Sequence, residues 1–148
     1  MCNMILRKGI TGFFDNKNSP VSEMDFKIFK TLCHTIDSST NWRLINIKSN
    51  PNSNYYSTEF DTLSGIIYIL LNKHYPIIAF TDNINIGNIV FKNITDIKHL
   101  LCDYEIVSAD ILNSSIDDVV NELSETEMNQ IAYWNPGSVG NVIFNCWD

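Results

Sequence analysis

Residues 42–80, WRLINIKSNPNSNYYSTEFDTLSGIIYILLNKHYPIIAF, decide the fold. Trp42 to Lys48 and Tyr55 to Phe60 are rich in aromatic and branched side chains and read as two strands. Between them Ser49-Asn50-Pro51-Asn52-Ser53-Asn54 reads as a surface turn, not a domain boundary. Leu63 to His74 is apolar nearly all round and reads as the most buried helix, stopped by Pro76. Ile77 to Phe80 then reads as a central strand.

Working outward, residues 4–14 look extended, with Gly9 and Gly12 as bends. Ser22 starts a helix, with Asp25 three residues on, and Met24, Ile28, Phe29, Leu32, Cys33 and Ile36 recur at helical spacing. Downstream, Asn83 to Asn88 reads as a turn, Ile89 to Phe91 as a short strand and the run Ile94, Ile97, Leu100, Leu101 as a short helix. Glu105 to Ile111 alternates like a half-buried strand. The C-terminal third reads as helical. Ser115 with Asp118 and Ser124 with Glu127 open two helices, Pro136-Gly137 breaks the second, and Ser138 caps a last one. The expectation is a single α+β domain over residues 1–148, a mainly antiparallel sheet packed with helices.

The chain has 148 residues with 45% apolar content, normal for one folded domain. Its longest apolar run, Ile66 to Leu71, is far short of the roughly 20 residues that span a bilayer. At the start, Arg7 and Lys8 follow the apolar residues, the reverse of a signal peptide, so a cytoplasmic location is expected. The thiols Cys2, Cys33, Cys102 and Cys146 are widely spaced and read as buried and free. The abundance of Asn and Ile reads as a coding bias.

Charge is unevenly distributed. Residues 1–74 hold eight bases and six acids, a net of +2, whereas residues 75–148 hold two bases and eleven acids, a net of −9. No Lys or Arg follows Lys98. Asp103, Glu105, Asp110, Asp117, Asp118, Glu122, Glu125 and Glu127 are therefore candidates for an acidic binding surface, although helix-start acids are also favoured by the macrodipole. Such a surface suits a basic protein and disfavours nucleic acid and anionic membranes.

Catalytic templates are missing. There is no phosphate-binding loop and no nucleophile elbow, and Gly9-Ile10-Thr11-Gly12 reads as two turn glycines. Cys33-His34 are adjacent and diverge by about 100° on a helix. His99 and Cys102 share a helical spacing, but zinc needs further ligands that the sequence does not offer.

Two segments carry a resemblance. Arg7, Lys8, Gly9, Ile10, Gly12 and Phe13 fit an Arg-Lys-Gly-Ile-x-Gly-Phe opening. Tyr133, Trp134, Pro136, Gly140, Phe144, Asn145, Trp147 and Asp148 fit a Tyr-Trp-x-Pro…Gly…Phe-Asn-x-Trp-Asp ending. Together they resemble small bacterial immunity proteins encoded beside polymorphic toxins, of the contact-dependent growth inhibition type. Cys146 departs from that pattern, standing where an aromatic residue is expected. The resemblance implies binding and neutralisation of one cognate toxin domain, often a basic nuclease, with no catalysis and no cofactor. Trp134, Phe144 and Trp147 are expected to be core anchors. Two other readings stand beside it: a small thiol-dependent enzyme using Cys33 or Cys102 with a histidine, and an adaptor domain with no toxin partner.

Overall fold

A computed structural model describes residues 5–13, 23–84 and 88–147. The chain runs through β1 (Ile5–Leu6), α1 (Phe26–Ser39), β2 (Arg43–Ser49), β3 (Tyr55–Thr62), β4 (Gly65–Asn72) and β5 (Ile77–Thr81). There follow a 3₁₀ turn at Lys98–Leu100, β6 (Glu105–Ile106), α2 (Ala109–Leu112), a 3₁₀ turn at Ile116–Asp118, β7 (Val120–Asn121), α3 (Glu125–Trp134) and α4 (Val139–Ile143). The five-stranded sheet has the order β2-β3-β4-β5-β6 and is antiparallel except for β6, which runs parallel to β5. β1 and β7 form a separate parallel pair. The expected α+β domain with a mainly antiparallel sheet is what forms.

The largest departure is at Leu63–His74, which is not a helix. Its apolar run is β4, paired with β3 from Tyr55↔Asn72 to Thr62↔Gly65. Gly65, at φ 108°, makes the tight turn that joins the two strands. An apolar run this short, with turn residues at its start, is a strand buried on both faces. Tyr68 and Leu70 face one layer, while Ile67, Ile69 and Leu71 face the other.

The second layer is α1. Asp25, not Ser22, caps it by accepting the Lys27 N–H; Ser22 lies outside the described residues. Phe29, Cys33 and Ile36 are its buried stripe, set against Tyr56, Phe60 and Ile69. On the opposite face of the sheet, Leu6, Ile10, α2 and α4 pack with Phe144 and Trp147 around Leu70 and Tyr55. β5 lies fully buried inside the sheet between β4 and β6, as expected for Ile77–Phe80.

Several shorter elements also differ from expectation. Ile89–Phe91 is not a strand, because two side-chain amides take the place of a neighbouring strand. Asn141 binds the Ile89 N–H and C=O (2.9 and 3.1 Å), and Asn113 binds those of Phe91 (2.9 and 3.0 Å). The expected turn at Asn83–Asn88 lies partly outside the described residues. The expected helix near Ile94–Leu101 is reduced to one 3₁₀ turn. The strand at Glu105 ends at Ile106, since Ser108 caps α2 by accepting the Ile111 N–H. After Ser115 only a 3₁₀ turn forms before β7 pairs with β1. The capping box of Ser124 and Glu127 and the Ser138 cap are both present. The last third thus carries α2, α3 and α4, but also two short strands.

Candidate functional site

The two sequence segments that carry the resemblance meet in space, and a buried carboxylate ties the first of them to the start of α3. Glu127 is 0% exposed. Its Oε1 accepts the Gly9 N–H (2.9 Å) and both the N–H and hydroxyl of Ser124 (3.1 Å each). Its Oε2 accepts the Thr11 N–H (3.1 Å) and the Thr11 hydroxyl. Gly9 and Gly12, at φ 89° and 87°, turn the loop so that its amides point at this carboxylate. Charge-assisted bonds and the N-terminus of α3 stabilise the buried negative charge. Glu127 is therefore removed from the acidic binding candidates. Its oxygens are occupied inside the molecule, and no partner reaches them.

Asparagines complete the junction. Asn54 and Asn72 each donate to the carbonyls of both Ile10 and Ile143, at 2.8–2.9 Å. Asn145 donates to Thr11 and Val142, and its own N–H binds the Asn54 side chain at 2.7 Å. The 49–54 loop connects two strands as expected, but its Ser53 and Asn54 are buried. The Asn content thus has structural uses that a coding bias does not describe. Phe13 and Trp147 pack with ring centroids 6.2 Å apart. A Cβ on Gly140 would lie 2.2 Å from the Phe91 ring, so only glycine fits there. The motif residues here are scaffold.

The other seven acids, Asp103, Glu105, Asp110, Asp117, Asp118, Glu122 and Glu125, are all exposed. Asp103 lies just before β6 and Glu105 is its first residue, at the edge of the sheet. Asp110 and Glu125 stand in the first turns of the capped helices α2 and α3, where the backbone dipole favours them, and Asp117 and Asp118 lie in the 3₁₀ turn that Ser115 caps. Glu122 follows β7, and its N–H binds the Leu6 carbonyl (2.8 Å). Arg7 lies across the Tyr75 ring on that side of the molecule, 5.8 Å from its centroid.

α3 is unusual among the elements. Its one buried side chain is Glu127. Trp134 is not the expected core anchor: it is 40% exposed beside Tyr133, which is 79% exposed. Phe144 and Trp147 are buried, as expected. Trp134 differs because α3 ends there, in a left-handed Asn135 cap followed by Pro136, before the chain turns inward.

The thiols are dispersed. Cys33 is buried under α1, and burial pushes its thiol up to about 11, which suppresses the nucleophilic thiolate. His34 is exposed and on a different side of that helix. Cys102 is exposed and shares a surface hollow with His99, but its Sγ contacts the His99 carbonyl (3.3 Å), not the imidazole. Cys146 lies 3.7 Å from the Tyr55 hydroxyl, whose pKa is raised by burial and secondarily by that thiol. Among the described residues, no group of three or more His, Cys, Asp or Glu is placed to hold a metal ion. A polar cavity of about 170 Å³ opens beside the junction at Thr11, Asn54 and Trp147. Lys73 reaches into its wall, with Nζ donating to the Asn50 carbonyl (2.9 Å), and burial lowers its pKa against an opposing effect of Glu23.

No described helix is long and apolar enough to cross a membrane. No protein-family model, curated protein or solved structure matches this chain.

Proposed function

We propose that this chain is a cytoplasmic immunity protein that binds one cognate toxin domain, one to one, and neutralises it without catalysis. The toxin is a basic, nuclease-type domain, and the contact surface is acidic. The observation that carries this reading is the exposed set from Asp103 to Glu125, seven acids in a stretch without a single Lys or Arg. Self-repulsion makes such a surface costly unless a cationic partner uses it. Carboxylates facing the lysines and arginines of a nuclease replace the phosphates of its substrate. They also speed encounter, up to about 10⁸–10⁹ M⁻¹s⁻¹ at low salt for steered pairs.

The test is co-expression with the C-terminal domain encoded by the adjacent upstream gene. Growth arrest that only this chain relieves is the expected result. Toxicity without relief, or no toxicity, defeats the reading. Reversing Asp110, Asp117, Glu122 and Glu125 to Lys is expected to slow association at least tenfold at low salt and to flatten its salt dependence, read by stopped flow, as an order-of-magnitude effect. An unchanged rate would discard the acidic surface while leaving immunity standing.

A further inference from the structure

A surface helix ordinarily stays on its domain by burying an apolar stripe. α3 is held differently, by its Glu127 carboxylate, its Ser124 cap and a half-buried Ile131. The attachment is largely polar, and the apolar side chains are left outside. Met128, Ala132 and Tyr133 lie on the outward side of the helix, all exposed. The Met128 sulfur accepts from Asn121 Nδ2 (3.1 Å), tying this side to β7, where Val120 is also exposed.

At the C-terminal end, Tyr133 and Trp134 meet edge to face, with ring centroids 5.2 Å apart. Trp134 Nε1 donates to Gln130 Oε1 (3.0 Å), which orients the indole before any partner arrives. Two exposed rings oriented in advance have the character of binding hot spots: large contact area and little rotamer freedom left to lose.

We infer that the C-terminal end of α3, where Tyr133 and Trp134 are exposed, is the anchor at which a basic protein surface docks. Charge selects this occupant. Glu122 and Glu125 lie in or just before the same helix, and residues 122–134 carry no Lys or Arg. A second copy of this chain would set acid against acid, and nucleic acid or anionic lipid would be repelled. This inference rests on the immunity reading and names the part of the surface that sets the lifetime of the complex. Acids set the encounter rate; the rings set the dissociation rate.

Binding of the purified upstream-encoded toxin domain to four full-length chains tests it: wild type, Tyr133→Ser, Tyr133→Ser/Trp134→Gln, and Leu63→Ser. Leu63, 91% exposed in the β3–β4 turn, is the control for loss of any exposed apolar side chain. The double variant is expected to bind about 30-fold more weakly or worse, through faster dissociation, with association rate and salt dependence kept. Leu63→Ser is expected to match wild type. Dissociation of both Tyr133 variants within about threefold of wild type overturns the inference and leaves immunity standing. If the wild-type chain itself neither binds nor protects, the functional reading falls and the anchor falls with it. Should the double variant unfold, the single change at the more exposed Tyr133 decides.

Discussion

The sheet interior and the junction around Glu127 and the asparagines are both buried, but they are sealed by different forces. Between α1 and the sheet, Phe29, Ile36, Phe60 and Ile69 meet through dispersion and apolar burial, which have no preferred direction. At the junction, Glu127, Asn54, Asn72 and Asn145 close the structure with aimed hydrogen bonds to backbone groups far away in sequence. The first kind of contact tolerates exchange between side chains of equal volume. The second does not, because a lost partner leaves a buried donor or acceptor unpaired.

The largest expected effect is therefore at Glu127. Glu127→Ala orphans the buried N–H groups of Gly9 and Thr11, at roughly 1–3 kcal/mol each. That is a large share of the roughly 5–15 kcal/mol that hold an ordinary domain together. Denaturant unfolding measures it, and a loss below about 1 kcal/mol would break the comparison between the regions. Next, Gly140→Ala adds one methyl group against Phe91 and is expected to cost roughly 1–3 kcal/mol, while Leu70→Met in the sheet costs less than about 1.5 kcal/mol. Thermal unfolding of both variants sharpens the contrast, and equal shifts would erase it.

The smallest effect is one of pH. Cys33 ionises at 9.0 ordinarily and near 11 when buried under α1. Between those values the folded chain holds a proton that the unfolded chain has released. Stability is unaffected by this thiol below pH 9 and falls as pH rises from 9 toward 11, by at most about 1.4 kcal/mol per unit. In Cys33→Ala that part of the slope is expected to vanish. Tyr55 and Tyr56, whose pKa burial also raises, keep a residual slope of the same sign. An alkaline slope identical to wild type would refute the assignment to Cys33.

Local chemistry was the legible part. The Ser124–Glu127 capping box and the Ser138 cap lie within three residues and are visible as spelling. Strands β2 and β3 and the buried stripe of α1 declare themselves by composition and period. The run from Ile66 to Leu71 misled because periodicity cannot separate a short buried helix from a strand covered on both faces; Ser64-Gly65 was the turn signal that decides it. What lay beyond reach was everything aimed over long distances. Glu127 spells a cap, but its grip on Gly9 and Thr11 spans more than a hundred positions. An asparagine that substitutes for a neighbouring strand, as Asn141 and Asn113 do, looks in sequence like any polar loop residue. The exposure of Trp134 was hidden for the same reason: a tryptophan in an apolar context reads as core until the end of α3 is located.

The edges of the sheet have a consequence for recognition. β2 forms one edge, and its pairing with β3 slips by a residue between Leu44 and Asn46, leaving Ile45 as a bulge that kinks the strand. Arg43 and Lys48 punctuate the same edge with charge. At the other edge β6 is two residues long. Neither edge offers a long, flat row of free amides and carbonyls, the template that another chain needs to extend a sheet. Strand addition is thereby a closed route. At these two edges a partner meets side chains before it meets free backbone.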